Sequence, residues 1–168
     1  MIPLMIEMRV LTPDEWRVWR ELRLDALATA PYAFGARLSD WQGDGDREER
    51  WRGRLAIPGS HNLVATLDAR AVGMVSGVHT DDVGVVELIS MWVHADARGR
   101  GVGDALVDSV VQWARKAGAT RLRLAVTPGN EAAVRLYRRH GFAPTEELGD
   151  LMPNGLREQV MARHLDPS

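Results

Sequence analysis

The segment ADARGRGVGDALV, Ala95 to Val107, sets three alternating glycines, Gly99, Gly101 and Gly103, directly before an apolar run. Val102, Leu106, Val110, Trp113 and Ala117 continue that run at helical spacing, and Gly118 stands where the helix should end. The glycines therefore precede a helix N-terminus, which carries about half a positive charge and four N–H groups with no helical partner. Glycine there lets an anion approach the backbone closely, so the segment suits a diphosphate. The plainer reading is a turn and a helix entry with no ligand.

Two common nucleotide readings fail on residue identity. A P-loop closes on Gly-Lys-Ser/Thr, whereas Gly103 is followed by Asp104 and Ala105, and the 21 basic residues include a single lysine, Lys116. A dinucleotide fingerprint spaces its glycines G-x-G-x-x-G after the first strand of a parallel unit. Here the glycines alternate, and the preceding stretch reads as the end of an antiparallel meander.

Upstream, LMIEMRV (4–10) reads as a strand. Thr12, Pro13 and Glu15 supply an N-cap, a first-turn proline and a capping box for a helix running to about Ala28. REERWRGRLA (47–56) suggests a second helix. NLVATL, AVGMVSGVHT and VVELISMWVH are three strands separated by the turns DAR and DDVG. Downstream, TRLRLAVT alternates as a strand, and NEAAVRLYRRHGF is a helix capped by Asn130 and stopped by Gly141. REQVMARHL is a closing strand. The expected order is β-α-α-β-β-β-α-β-α-β-β in one domain over residues 1–168.

Composition narrows the partners. The 168 residues carry a net charge of −2, with 45% hydrophobic and 26% charged residues, an ordinary globular balance that asks for neither nucleic acid nor membrane. The apolar start MIPLMI lacks a basic flank and is far shorter than the ~20 residues of a spanning helix, so a cytoplasmic location is expected. Cysteine is absent, which excludes disulfides, thiolate metal sites and a cysteine nucleophile. No metal is expected.

A second motif follows. In NEAAVRLYRRHGF, Asn130 and Tyr137 are two helical turns apart on one face, with the small Ala133 between them, so that face lines a groove. RGRGVG followed by NEAAVRLYRRHGF closely resembles the GNAT superfamily of N-acetyltransferases, in particular its small bacterial-type members and their Arg/Gln-x-x-Gly-x-Gly/Ala loop. VVELISMWVHADARG is similar to the family's fourth strand, and RLDALATAPYAFGA to its N-terminal helix and loop. The resemblance spans about Leu4 to Leu165. It implies an α/β fold with a mixed, mostly antiparallel central sheet of six to seven strands flanked by about four helices.

The resemblance also implies a ligand and roles. Arg98, Gly99, Arg100, Gly101, Val102 and Gly103 would hold the pyrophosphate of acetyl-CoA, with Arg139 a further candidate for its charge. Backbone groups of Met91, Trp92 and Val93 would pair with pantetheine, and Asn130, Ala133 and Tyr137 would form the opposite wall. Tyr137 matches the family's general acid for the leaving thiol, against a plain packing tyrosine.

An amine acceptor with a pKa near ~10.4 must lose a proton before it attacks. Glu87 sits where many family members carry a glutamate acting through water. On VVELISMWV it shares parity with Ile89, Met91 and Val93, an otherwise apolar set. Its alternative is a structural carboxylate paired with Arg123. His79, His94 and Ser90 are weaker candidates.

With no cysteine relay available, direct attack in a ternary complex is the simplest scheme. The acceptor is expected to be a primary amine of a small molecule or peptide, met by Tyr32, Phe34 and Glu87 beside the acids Asp40, Asp44, Asp46, Glu48 and Glu49. An acidic, aromatic mouth would favour a cationic amine, and a merely solvated acidic loop is the alternative. An acyl-CoA-binding sensor without turnover, or a different acyl donor or acceptor, are the competing functions. Exposed sheet edges leave room for a homodimer.

Overall fold

The computed structural model describes residues 5–29, 38–152 and 154–166. The regular elements run β1 (Ile6–Val10), α1 (Trp16–Thr29), α2 (Glu48–Leu55), β2 (His61–Leu67), β3 (Arg70–His79), β4 (Val85–Val93), α3 (Val102–Lys116), β5 (Arg121–Val126), α4 (Glu131–Arg139), β6 (Ala143–Leu151) and β7 (Arg157–His164). This is the order expected from the sequence. The seven strands form one sheet, β1-β2-β3-β4-β5-β7-β6, antiparallel except between β4 and β5.

Local signals account for the helix ends. The Thr12 backbone N–H donates to Glu15 Oε1 at 3.1 Å, closing the capping box ahead of α1. Asn130 Oδ1 accepts from the Ala133 N–H at 3.3 Å and starts α4. Gly118, at φ +79°, ends α3 in the left-handed conformation that glycine adopts without strain.

Two cores lie on opposite faces of the sheet. On one, α3 buries Val102, Leu106, Val110 and Ala114 against β2–β5 and β7, a stripe with the period read from the sequence. On the other, Trp16, Trp19, Trp51 and Leu55 of α1 and α2 close over Met74 and Trp92. A Cβ at Gly77 would fall 2.4 Å from the Trp113 ring, so glycine is what lets β3 run this close beneath α3.

One irregularity shapes everything that follows. Ser76 pairs with Ile89, yet Met74 pairs with Trp92, so two steps on β3 oppose three on β4. The extra residue falls at Ser90–Met91, and Ser90 adopts φ +57°. A one-residue bulge reverses which face each later side chain points to. Val86 and Leu88 face α3, and after the bulge Met91 and Val93 face it while Trp92 crosses to α1 and α2. The expected common parity of Glu87, Ile89, Met91 and Val93 is therefore wrong: the bulge separates the first pair from the second.

The β4–β5 seam is short. Only Val85↔Arg121, Val86↔Leu122 and Glu87↔Arg123 pair, after which the strands part and β5 continues against β7 alone. The far half of β4 is left with an open edge.

Candidate active site

A cleft of about 640 Å³ fills the gap on the α3/α4 side. Its floor is Met91–Val93 and its far wall is Asn130, Ala133 and Tyr137 of α4. Its end is the glycine loop, where Arg98, Gly99, Gly101 and Gly103 line it. Gly101 is the N-cap of α3 at φ +83°, which a residue with a Cβ adopts only at a cost. The first backbone bond of the helix runs from the Ala105 N–H to Gly101 O at 3.0 Å. The N–H groups of Val102, Gly103 and Asp104 therefore precede the ladder and face outward for an anion.

Most residues expected around an acyl donor meet in this cleft, with four differences. Val102 contributes backbone only, because its side chain is buried in the core. Arg100 is exposed and does not line the cleft. Arg139 reaches the cleft, but its guanidinium donates to both Asp104 carboxylate oxygens, at 3.1 and 3.2 Å. Arg98 turns back, its Nε–H donating to Val93 O at 3.1 Å.

A second, smaller cavity of about 320 Å³ opens on the α1/α2 side. Arg23 of α1 and Arg54 of α2 line one part of it, and Glu87, Asp150 and Glu158 another. Burial pulls both guanidiniums down to about 10, with the neighbouring Arg54 charge adding to the effect on Arg23. Glu158 is pushed up, by burial first and then by the charges of Asp150 and Glu87. Glu87 accepts from the Arg123 Nε–H at 3.1 Å, so the ion pair weighed from the sequence is present and coexists with a place on the cavity wall.

The two cavities meet. Met91, Ala125 and Tyr137 line both, at the point where β4 and β5 separate. Tyr137 is 6% exposed, its ring edge-on to Phe142 with centroids 5.9 Å apart, and burial raises its phenol above the ordinary value.

The expected acidic, aromatic mouth lies partly outside the described residues. Tyr32 and Phe34 lie outside the described residues. Asp46 is held by Arg20 and by the Trp51 indole N–H, Glu48 pairs with Arg52, and the Trp41 ring packs tilted against Trp51. None of Asp40, Asp44, Asp46, Glu48 and Glu49 lines the second cavity. His94 accepts from the Asp96 N–H at 3.3 Å, and His79 packs edge-on against Trp113; neither lines the two cavities. Ser90, a weaker candidate from the sequence, does line the second cavity.

Arg23, Arg54, Asp150 and Glu158 were not anticipated from the sequence. A signal for the arginines exists: Arg23 is four residues after buried Trp19, and Arg54 three after buried Trp51, so each interrupts an apolar helix face. Among the described residues no cluster of three or more potential metal ligands is grouped for coordination, and no helix is long and apolar enough to cross a membrane.

A sequence model of the acetyltransferase (GNAT) family matches residues 17–142. An uncharacterized N-acetyltransferase of Methanocaldococcus jannaschii is 37% identical over 62 residues, 37% of this chain and 27% of that protein. L-2,4-diaminobutyric acid acetyltransferase of Nocardia farcinica is 32% identical over 96 residues, 54% of this chain and 49% of that protein. The chain spans less than half the length of these curated relatives. A putative acetyltransferase from Salmonella typhimurium, solved with acetyl-CoA, superposes with a TM-score of 0.75 at 23% identity, over 98% of this chain and 96% of that one. By the extent of the family match, the chain belongs to the GNAT family of acetyltransferases.

Proposed function

We propose that the protein is an acetyl-CoA-dependent N-acetyltransferase that passes the acetyl group directly to a primary amine in a ternary complex. The observation that carries this reading is the meeting of the two cavities at Met91, Ala125 and Tyr137, through the gap between β4 and β5. One cavity has a backbone anion site at its end and an open strand edge along its floor. The other is small and charged.

Acetyl-CoA fits the first cavity, and its thioester supplies the activated acyl group. The backbone of the Gly99–Gly103 loop takes the pyrophosphate, and the Met91–Val93 edge pairs with the pantetheine amides as an added strand would. A backbone N–H at this edge polarises the thioester carbonyl. The putative acetyltransferase of Salmonella typhimurium was solved with acetyl-CoA, and the Nocardia relative is named for an amine-bearing acceptor.

The amine arrives from the second cavity. Its extra proton leaves toward the Glu87 and Glu158 carboxylates, and burial and acidic neighbours make Glu158 receptive. The nitrogen then bonds to the acyl carbon as the carbon–sulfur bond breaks, and the second proton of the nitrogen ends on the CoA thiol. A phenol at ~10 protonating a thiolate at ~8.5 is already uphill by about 2 kcal/mol, and burial of Tyr137 steepens this. Tyr137 therefore serves as a hydrogen-bond donor to the departing sulfur. Holding donor and acceptor together supplies much of the remaining acceleration.

The test is release of free CoA thiol by the purified protein from acetyl-CoA with a panel of amines. Turnover with at least one amine is expected. Tight CoA binding with no release for any amine overturns the reading in favour of an acyl-CoA sensor.

A further inference from the structure

The arginine side of the second cavity is built around Arg54, a cation with no carboxylate partner among the described residues. Arg54 donates to Asn62 Oδ1 at 3.2 Å and to the hydroxyls of Ser76 and Ser90 at 3.1 Å each. All three partners are neutral. Asn62 and Ser76 are 2% and 0% exposed and are joined to each other at 2.6 Å, so a buried polar network ends on this guanidinium. Trp19 lies beneath it, with the guanidinium carbon 5.0 Å from the ring centroid. Among the described residues, no carboxylate lies within ion-pair distance of Arg54.

Burying Arg54 among neutral partners is costly. A partly desolvated cation is ordinarily matched by an anion, and here a second arginine, Arg23, lies against the same cavity and adds repulsion. The network fixes the orientation of Arg54, and among the described residues nothing accepts from its Nε–H or from its second Nη1–H. A rigid guanidinium with donors to spare is a carboxylate receptor. The same cavity holds the opposite charge on Glu87, Asp150 and Glu158, where an ammonium would sit. At about 320 Å³ it is at the small end of the range for ligand sites.

Resting on the acetyltransferase reading above, we infer that the acceptor is a small amine carrying its own carboxylate, an amino acid: Arg54 and Arg23 take the carboxylate, and Glu158, Asp150 and Glu87 face the amine. This narrows the cationic amine expected beside the acidic loop to one that also carries a carboxylate. Discrimination comes from Arg54, because an amine lacking the carboxylate leaves this guanidinium on its neutral partners alone.

The experiment compares free L-amino acids with their decarboxylated amines, and with short peptides bearing the same N-terminal residue, by thiol release from acetyl-CoA. In parallel, binding of each to the protein without donor is followed by calorimetry. The expected result is a kcat/KM preference of ~100-fold or more for at least one free amino acid over its decarboxylated amine. In Arg54→Gln that ratio should collapse toward one through a raised KM, and Arg54→Lys should restore part of it. Equal or better turnover of decarboxylated amines or peptides overturns the inference. If no acceptor is turned over, the acetyltransferase reading fails separately, and calorimetry still decides the site: amino acids bind and their decarboxylated amines do not, or the carboxylate receptor is absent.

Discussion

The Arg123 Nε–H donates to Glu87 Oε2 at 3.1 Å across the last paired rung of β4 and β5. Beyond this rung the strands part and the two cavities join. The side chains are 25% and 29% exposed, so the pair is partly screened and contributes on the order of 1 kcal/mol. Arg123→Gln should lower Tm by roughly 2–4 °C. Because the bond fixes a carboxylate on the acceptor side, acceptor kcat/KM should fall while CoA affinity measured by calorimetry stays unchanged. A parallel loss of CoA affinity would mean that the pair holds the donor cleft open instead.

Tyr137 packs its ring against Phe142, and removing only its hydroxyl leaves that contact in place. Tyr137→Phe should lower kcat by ~10²-fold or more, with Tm and CoA affinity at wild-type values. Burial raises the phenol, so its ionisation should not produce an alkaline limb in the kcat profile below pH ~10. Undiminished turnover in the variant would reduce Tyr137 to a packing residue.

Ser90 holds φ +57° in the middle of a strand and also accepts from Arg54 at 3.1 Å. A β-branched side chain resists that conformation, and Ser90→Val should cost ~1–3 kcal/mol and weaken both donor and acceptor binding as the bulge relaxes. Ser90→Gly should keep the bulge and the CoA affinity, read by calorimetry, while raising acceptor KM through the lost Arg54 bond. Loss of CoA affinity in the glycine variant as well would separate the bulge from the donor cleft.

The same residue marks where reading the sequence stopped. The glycine loop, Asn130 and Tyr137 were recognisable because their geometry is local: a helix start, a cap, and two turns of one helix. Strand alternation placed Glu87 with Met91 because nothing in VVELISMWV announces an inserted residue. The charged cavity was harder still. Arg23, Arg54, Asp150 and Glu158 come from α1, α2, β6 and β7, and only the sheet order β5-β7-β6 brings the last two beside Glu87.

Asp46 ties the segment before α2 to both helices of its face, accepting from the Arg20 guanidinium at 2.8 and 2.6 Å and from the Trp51 indole at 2.8 Å. The Arg20 bond, then the Trp51 bond, hold its carboxyl down to about 2. An ordinary aspartate in the unfolded chain titrates near ~3.9. A depressed folded-state value means that the stabilisation is present above pH ~4 and disappears as pH falls toward about 2. Asp46→Asn should therefore lower Tm at pH 7, with the gap from wild type closing between pH ~4 and ~2. A gap independent of pH would show that packing, not charge, is what the substitution disturbs.

Glu158 is raised by burial and then by the charge of Asp150, against which the Asp150 backbone N–H works weakly in the other direction. A proton acceptor functions only when ionised, so kcat/KM should fall on the acid side as pH drops through the Glu158 value. Asp150→Asn removes a neighbouring negative charge and keeps the backbone N–H. Ionisation of Glu158 becomes easier, and the acid limb should move to lower pH. Glu158→Gln should lower kcat/KM by ~10²-fold or more and flatten that limb. If the limb stays where it is in Asp150→Asn but shifts or vanishes in Glu87→Gln, the proton leaves through Glu87, and Glu158 only sets the charge that the amine meets.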